Sequence, residues 1–380
     1  MKNTKVIIFK PVELCNSNCI YCDVVKLGEK SIMPIDLLEI VFQKINEYLE
    51  AHEDNDFQLI WHGGEPCMLG VDYFRKALEF QARYCKSTAS RIKHDMQSNL
   101  TMINQELIDV FKDMGMKSLG TSFEPLPGVR GMGKKIDSEQ YNRKFFEGIN
   151  LLDKNNMGWG IIYVITRLSL EMPLEIFYYL TNLKLNAGPS FNTVKIFGKD
   201  KLSLSVTPEE VADWLGAIYP VWYEHEDRFS AVKPFDSFTK LIKGENAPLG
   251  CEDSGACAYN WVYIGPTGET SQCGRSGDYD ILRYGNIRDY SLDEIFRNEQ
   301  RELLRKRTEI LAETECKDCR FWNICHGGCP LDSYFKHRDF MHKYPHCREK
   351  PLIFEKYIEP VTGLKADFSY QPHKIMAESS

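Results

Sequence analysis

Three cysteines near the start of the chain have the spacing of a metal-cluster site. Cys15, Cys19 and Cys22 lie within eight residues, directly after the apolar stretch 5–10. Closely spaced thiolates hold iron–sulfur clusters, and three of them leave one iron of a [4Fe–4S] cube open to a substrate or cofactor. A structural zinc site is the alternative, but no fourth ligand is visible nearby. The motif therefore predicts a cluster with an open iron.

Eight more cysteines are concentrated in the last third of the chain: Cys251, Cys257, Cys273, Cys316, Cys319, Cys325, Cys329 and Cys347. Because the cytosol keeps thiols reduced and the chain shows no export signal, metal binding explains them better than disulfides do. Thiolate sets of this kind suit zinc as well as iron–sulfur clusters. The remaining two cysteines, Cys67 and Cys85, have no other cysteine nearby in the sequence. Isolated free cysteines are commonly small, buried hydrophobic residues. The distribution predicts two cofactor regions.

The elements that position these cysteines alternate strand and helix. The patterns predict strands at 5–10, 57–61, 92–96, 117–122, 160–166 and 192–197, followed by helices at 35–51, 73–84, 105–114, 141–154, 174–183 and 208–223. Six βα units predict an α/β fold with parallel strands, a partial or full (β/α)6 barrel. In such barrels, chemistry occurs at the C-terminal ends of the strands.

The alternation of predicted strands and helices ends at about residue 235. The following residues are rich in Cys, Gly and turn formers, so metal clusters are expected to stabilise them. The sequence therefore predicts a barrel at 1–235, a cysteine-rich domain at 236–350 and a C-terminal extension or tail at 351–380.

Charge and hydropathy exclude two classes of partner. The chain has 47 Lys and Arg residues against 54 Asp and Glu residues, a net charge of −7, which argues against binding of nucleic-acid phosphates. No apolar run is long enough to cross a bilayer, and the first ten residues have no signal-peptide core. We expect a cytoplasmic protein that binds neither nucleic acid nor membranes and acts on peptides or small molecules.

The first motif resembles that of the radical S-adenosylmethionine (SAM) superfamily: C-x3-C-x2-C after the first barrel strand, with an aromatic residue before the last Cys. The resemblance implies that the open iron binds SAM, that reductive cleavage gives a 5′-deoxyadenosyl radical, and that Tyr21 packs near the adenine. His62 precedes Gly63, Gly64 and Glu65, which match the family's GGEP element. Glycines allow close backbone approach, and the carboxylate can accept from an ammonium group.

Other positions match the family more loosely. Ser98 and Ser122 end the third and fourth strands, where relatives place ribose-side groups, and Arg143 matches an arginine that approaches the SAM carboxylate. A helix cap or a solvated surface charge is the alternative for each. His62 and Glu124 are the candidates for the catalytic group. Cys67, directly after the GGEP element, is also a candidate for a substrate-side role.

The C-terminal cysteines resemble the signature of SPASM domains, including the internal Gly268. The resemblance implies two auxiliary [4Fe–4S] clusters, the first held by Cys251, Cys257, Cys273 and Cys329 and the second by Cys316, Cys319, Cys325 and Cys347. Four thiolates per cube leave no open iron, which suits electron transfer and structure. The expected cofactors are three [4Fe–4S] clusters and SAM.

The whole pattern is most similar to anaerobic sulfatase-maturating enzymes and to maturases of ribosomally made peptides (RiPPs). Sulfatase maturases carry an Asp that acts as a base directly after the position of Cys273, where this chain has Gly274. The resemblance therefore implies a peptide maturase that takes hydrogen from a residue of a precursor peptide or protein and forms an oxidative carbon–carbon or thioether crosslink. An auxiliary cluster would accept the electron, and ferredoxin or flavodoxin would supply reductant.

Three alternatives remain. They are formylglycine formation in the manner of the sulfatase maturases, dehydrogenation of a small metabolite, and a non-catalytic iron–sulfur scaffold. The intact GGEP element and the open-iron motif argue against the scaffold.

Overall fold

Strands in the predicted order run through the first half of the chain. A computed structural model of the protein describes residues 3–22, 31–183, 188–195, 199–229 and 231–369. Its strands are β1 (Asn3–Val12), β2 (Asn55–Gly63), β3 (Ile92–Met96), β4 (Ser118–Ser122), β5 (Gly158–Ile165), β6 (Ser190–Thr193), β7 (Trp261–Ile264), β8 (Glu269–Ser271) and β9 (Arg283–Asn286). The first six correspond to the six predicted strands, although residues 196 and 197 of the sixth prediction lie outside the described residues.

Helices follow each of these six strands, as predicted. The α-helices are α1 (Ile35–Ala51), α2 (Val71–Tyr84), α3 (Gln105–Asp113), α4 (Ser138–Lys154), α5 (Pro173–Thr181), α6 (Pro208–Glu224), α7 (Phe235–Ile242), α8 (Cys257–Asn260), α9 (Gly274–Asp278), α10 (Leu292–Phe296), α11 (Glu299–Glu313), α12 (Pro330–His337), α13 (Glu349–Ile353) and α14 (Glu359–Thr362). In α1, Leu38, Phe42, Ile45 and Leu49 are fully buried, the helical spacing that produces one apolar face.

The strands form two sheets, in the orders β3-β2-β1-β7-β8-β9 and β4-β5-β6. β1, β2 and β3 are parallel, with Phe9 opposite Trp61 and Trp61 opposite Met96. Trp61 contacts Phe9 and the α2 residue Phe74 at ring distances of 4.9 and 5.1 Å. Side chains alternate along a strand. Lys10 and His62 therefore project from the face opposite to Phe9 and Trp61.

The sequence did not predict β7, β8 and β9. β7 pairs with β1 in parallel, with Val6 opposite Trp261 and Phe9 opposite Ile264, and β8 and β9 continue antiparallel. Short strands of three or four residues leave too little periodicity to be recognised in a cysteine-rich segment.

The chain divides into two compact units. Unit 1 comprises Met1–Val164, Lys184–Ser190 and Tyr259–Arg301, and unit 2 comprises Ile165–Leu183, Phe191–Ala258 and Glu302–Ser380. The segment 259–301 belongs to unit 1 because β7 extends the sheet of β1. The sequence-based domain limits at 235 and 350 stay a prediction.

Aromatic packing dominates the interior of unit 2. Trp214, Tyr219 and Trp222 of α6 are nearly fully buried, and Trp214 meets Phe191 at 5.0 Å. The predicted C-terminal extension contains α14 and further buried residues, among them Phe354 with no exposed surface. Within the described residues, no helix has the length and apolar character to span a membrane.

Candidate active site

The cluster loop, residues 13–22, follows β1 and carries the first three cysteines. The Ser17 amide donates to Cys15 Sγ at 3.4 Å, and the Cys22 amide donates to the Cys19 carbonyl at 3.1 Å. Burial raises the pKa of the Cys15 thiol to about 12 and that of Cys19 to about 11, and the charges of neighbouring cysteines add to both shifts. Such thiols ionise when a metal offsets the charge. The donor set fits an iron–sulfur cluster.

Gly63 and Gly64 of the GGEP element pack closely against the backbone that leads into the cluster loop. A Cβ atom on Gly63 would lie 2.1 Å from the Val12 carbonyl oxygen, and one on Gly64 would lie 2.2 Å from that of Leu14. Gly63 also has a φ of +138°. The Glu65 amide donates to the Leu14 carbonyl at 2.8 Å. The two glycines therefore allow close approach to the backbone that carries the cysteines.

Glu65 is 1% exposed and accepts three internal hydrogen bonds. The donors are the Cys67 amide at 2.9 Å, the Ser98 hydroxyl at 2.8 Å and the Asn99 amide at 2.7 Å. Burial raises the pKa of its carboxyl despite these donors. Ser98 and Cys67 are also buried, with Oγ and Sγ 3.5 Å apart. These residues connect the ends of β2 and β3, and their predicted contacts with SAM or substrate stay predictions.

Asn99 joins the end of β3 to the cluster loop. Its side-chain amide donates to Asn16 Oδ1 at 2.8 Å and to Ser17 Oγ at 3.2 Å. Its Oδ1 accepts from the Thr101 amide and hydroxyl at 2.9 and 2.7 Å. Asn99 belongs to the run Gln97-Ser98-Asn99, which the resemblance places at a ribose-side element, and that role stays a prediction.

Tyr21, Glu124 and Arg130 form a buried network behind the cluster loop. The Tyr21 hydroxyl donates to both carboxylate oxygens of Glu124 at 2.9 Å, and Arg130 bonds both residues. The Val164 amide donates to Glu124 at 3.2 Å. Glu124 is 3% exposed, and the Arg130 charge lowers the pKa of the Cys19 thiol against the effect of burial. Glu124, a predicted catalytic candidate, is thus held in an ion pair beside a cluster ligand. Sequence analysis missed Arg130.

A second buried ion pair joins Lys10 of β1 to Asp278 of α9. Their side chains are 1% and 9% exposed, and the Lys10 ammonium also lies over the Tyr263 ring. His62, the other predicted catalytic candidate, accepts the Gly63 amide on Nδ1 at 2.8 Å. Burial and the Lys10 charge lower the pKa of His62 to about 4, so its imidazole is neutral. Sequence analysis singled out neither member of this pair.

The remaining predicted residues of unit 1 lie apart from these networks. Ser122 accepts from the Gln97 side chain at 3.0 Å, and Arg143 is exposed on α4. Cys85 has no exposed surface and donates to the Phe42 carbonyl at 3.6 Å. The roles predicted for Ser122 and Arg143 in SAM binding stay predictions.

A cavity of about 600 Å³ opens beside the cluster loop. Asn16, Thr101, Lys144 and Lys154 are among the residues that line it. None of its described lining residues was predicted to contact SAM, so we assign no ligand to it.

Four cysteines of unit 2 line a single cavity of about 150 Å³: Cys316, Cys319, Cys325 and Cys347. This is the set predicted to hold the second auxiliary cluster. Burial raises the pKa of Cys316 to about 12, and the charges of Cys325 and Cys319 add to the shift. Lys350 lines the same cavity and pairs with Asp253 at 2.6 Å. The four-thiol set fits a [4Fe–4S] cluster. The ammonium group of Lys350 would offset part of the negative charge of such a cluster and its thiolates.

Arg307 of α11 holds the loop between Cys325 and Cys329. Its Nη1 donates to the Gly328 carbonyl at 2.9 Å, and its Nη2 donates to the Gly327 carbonyl at 2.8 Å. Further bonds reach the Phe340 and His342 carbonyls and the Ser333 hydroxyl. The side chain is 3% exposed. Sequence analysis missed this residue, because its partners lie 20 to 35 positions away in the sequence, in two loops and in α12.

The cysteines predicted for the first auxiliary cluster are divided between the units. Cys251 and Cys257 line a small cavity of unit 2 with Arg307, and Cys329 is 8% exposed in the same unit. Cys273 lies in unit 1, at the residue before α9. The assignment of these four residues to one cluster stays a prediction.

Two protein-family models match the chain, one over the cluster loop and GGEP element and one over part of the C-terminal cysteines. The radical SAM superfamily model matches residues 9–180. The SPASM model, an iron–sulfur cluster-binding domain, matches residues 256–320. The chain is a radical SAM enzyme with a SPASM domain. The predicted fold class is thereby confirmed, and the enzyme uses iron–sulfur clusters and SAM, the cofactors that these domains imply.

Known maturases are similar to this radical SAM enzyme over most of its length. A serine-type anaerobic sulfatase-maturating enzyme of Bacteroides thetaiotaomicron is 24% identical, over 88% of this chain and 84% of that protein. A cysteine-type enzyme of Clostridium novyi is 22% identical, over 98% and 100%. These relatives confirm the predicted resemblance.

Solved structures share the fold. The enzyme anSMEcpe with bound AdoMet and Kp18Cys peptide has a TM-score of 0.80 at 20% identity, covering 95% of this chain and 99% of that one. Streptococcus suis SuiB bound to its precursor peptide SuiA has a TM-score of 0.62 at 15% identity, covering 92% and 76%. At these identities the likeness establishes the fold alone.

Replacing Gly64 with alanine is expected to release the first cluster. The new Cβ would meet the Leu14 carbonyl group, which is backbone and cannot rotate away, so the cluster loop must move. Anaerobically reconstituted protein should lose about four iron atoms per chain and should bind SAM at least about tenfold more weakly.

Gly70→Ala is the matched control, since Gly70 has a positive φ of +77° but open space at its Cβ position. It carries backbone strain of about 1–3 kcal/mol without a steric clash among the described residues, and should keep its iron. Full iron content in Gly64→Ala would show that the glycine contact does not hold the loop.

Proposed function

We propose that the enzyme is a radical SAM peptide maturase that forms an oxidative carbon–carbon or thioether crosslink in a precursor peptide. The solved relatives named above contain a peptide in one case and a precursor peptide in the other, which supports a peptide substrate. An electron donor such as ferredoxin or flavodoxin is part of the proposal, because each SAM cleavage consumes one electron.

Three [4Fe–4S] clusters are proposed for this reaction. The cysteines of the cluster loop and the four that line one cavity of unit 2 support two of them, and the spacing of Cys251, Cys257, Cys273 and Cys329 supports the third. When bound, the clusters and SAM supply a 5′-deoxyadenosyl radical and accept the electron that the oxidised substrate releases.

The chain's own residues position this chemistry. Gly63 and Gly64 let the end of β2 lie against the cluster loop, and Glu65 fixes the end of β3 through Ser98 and Asn99. The buried pair of Glu124 and Arg130 supports the other side of the loop. These contacts fix the loop that would hold the radical source, and hydrogen abstraction requires that source to lie close to a substrate C–H bond.

Gly274 is the observation that favours a crosslink over formylglycine. It begins α9, and a Cβ atom there would meet, among the described residues, only Ile8 Cγ2, at 3.6 Å. The position therefore has room for a side chain but carries none, so the carboxylate expected of a sulfatase maturase is absent from this residue.

Formylglycine formation is the second candidate function. The similarity to sulfatase maturases over nearly the whole chain favours it, and a buried carboxylate, Asp278, lies one helical turn after Gly274.

Mass spectrometry after one anaerobic incubation with SAM and dithionite decides between the two. We expect a precursor peptide encoded beside the gene to lose the mass of two hydrogen atoms without becoming reactive toward hydrazide reagents. Sulfatase-type peptides with a Cys or Ser target should be unchanged. An aldehyde product from either sulfatase peptide, with no change in the precursor peptide, would reject the crosslinking function and establish formylglycine formation.

A further inference from the structure

The pair of Lys10 and Asp278 joins residues 268 positions apart in the sequence. Both side chains are almost entirely buried, and the Asp278 carboxylate, at 9% exposure, is the partner that retains solvent contact. Burying two charges costs desolvation energy that their attraction only partly repays, so a buried pair is weak evidence for a role in stability. A role in chemistry is the alternative.

The pair lies at the end of the sheet where the reaction is expected. Lys10 is close to the C-terminal end of β1, and His62, whose pKa the Lys10 charge affects, is close to that of β2. The cluster loop and the GGEP element continue directly from these strand ends. A group at this edge of parallel strands is in the position of a catalytic residue.

Helix α9 presents Asp278 on the side that faces β1. The Cβ position of Gly274 contacts Ile8 at 3.6 Å, and Ile8 is on the same face of β1 as Lys10. Residues four apart share one face of a helix. Gly274 has no side chain that would cover Asp278 on this face.

The oxidation requires a proton acceptor. Forming a bond between two substrate atoms breaks a C–H bond and a second bond to hydrogen, and it releases one hydrogen atom, one proton and one electron. His62 is a poor acceptor, since its Nδ1 already accepts the Gly63 amide and burial favours its neutral form. Its Nε2 then carries the hydrogen and can only donate.

We propose that Asp278 is the catalytic base of this enzyme and that Lys10 is a positioning residue that holds its carboxylate in place. The inference rests on the proposed function, although formylglycine formation also releases a proton. The hydrogen atom goes to the 5′-deoxyadenosyl radical, the proton to Asp278 and the electron to an iron–sulfur cluster. The new substrate bond replaces the two bonds to hydrogen.

The test is Asp278→Asn, assayed on whichever peptide the unaltered enzyme oxidises in the mass measurement above. Hydrogen abstraction precedes proton loss, so peptide-dependent 5′-deoxyadenosine and deuterium transfer from labelled peptide should stay within about twofold. Product formation should fall by about 100-fold or more, the usual contribution of a general base. Asp278→Glu should restore part of it.

Asp280→Asn is the matched control. Asp280 is two residues further along, 66% exposed, and pairs with Arg283 at 2.6 Å. Its left-handed φ of +54° suits asparagine equally well. This variant should form product at the unaltered rate.

A double variant, Lys10→Met with Asp278→Leu, separates chemistry from folding. Apolar residues commonly replace a buried ion pair without loss of stability, so this protein should keep its iron and SAM cleavage yet form no product. Restored product would show that the pair is only structural and would overturn the inference.

The other outcomes are equally decisive. Product at the unaltered rate in Asp278→Asn, or equal loss of 5′-deoxyadenosine and product with iron intact, would overturn the role of Asp278. Oxidation of a sulfatase peptide alone would reject the crosslinking function while the same comparison still tests Asp278. If the unaltered enzyme oxidises no peptide of either class, both proposals are rejected.

Discussion

The triple variant Cys15→Ala, Cys19→Ala, Cys22→Ala is expected to form no 5′-deoxyadenosine from SAM. The radical arises only where a cluster has an open iron, and two cubes with four thiolates each have none. Iron should fall from about twelve to about eight atoms per chain, since one of three cubes is lost. Anaerobic reconstitution, iron and sulfide analysis, and chromatography of the SAM products measure both effects.

Cys85→Ala is the control for this variant. Cys85 is as buried as any cysteine in the described part of the chain, with no exposed surface, but it belongs to none of the three predicted ligand sets. It should keep its iron and its SAM cleavage. Continued 5′-deoxyadenosine production by the triple variant would move the chemistry away from the cluster loop. Stoichiometric zinc in anaerobically purified protein would reject the three-cluster proposal.

Arg307→Met is expected to cause the second large loss, in unit 2. The substitution removes all five hydrogen bonds of the guanidinium group. Buried carbonyls left without a donor cost about 1–3 kcal/mol each. In the proposed three-cluster assignment, Cys325 and Cys329 each ligate a different auxiliary cluster, so iron should fall to about four atoms per chain. The first cluster and its ligands in unit 1 should remain.

Two further variants show whether the hydrogen bonds of Arg307 or its charge causes the loss of iron. Lys306→Met removes an exposed cation from the same helix and should keep all of the iron. Arg307→Lys preserves the charge but lacks the planar fork that reaches several carbonyls at once, so it should lose iron as Arg307→Met does. Unchanged iron in Arg307→Met would show that the loop keeps its shape without these bonds. Recovery in Arg307→Lys would assign the effect to charge.

Much of the fold was readable from the sequence because its signals are local. The strand–helix alternation of α1–α6 rests on apolar periodicity within ten to twenty residues, which tertiary contacts reinforce. The first three cysteines lie so close in the chain that the loop alone keeps them together. Cys316, Cys319 and Cys325 are similarly close, and only Cys347 had to be joined by folding.

The sequence analysis did not identify the buried contacts of charged side chains. Gly274 stands where the sulfatase maturases carry their base, and the sequence analysis named no other carboxylate of α9 in its place. The structure brings Asp278 to Lys10, and it surrounds Arg307 with carbonyls from two loops. The side chains that meet in such contacts cannot be read from periodicity, since a lysine or arginine in the sequence is most often a solvated surface charge.

The sequence by itself thus determined the cofactor class, since thiolate spacing and the GGEP element are encoded within short segments. Only the tertiary structure decided which polar groups surround those cofactors. The pairing of β7 with β1 carries the segment 259–301, and with it Asp278, back to the first strand. The register of this pairing joins residues far apart in the sequence and is set by the burial of both strands in one sheet. Strands as short as β7 carry no local sequence signal that identifies their partner strand.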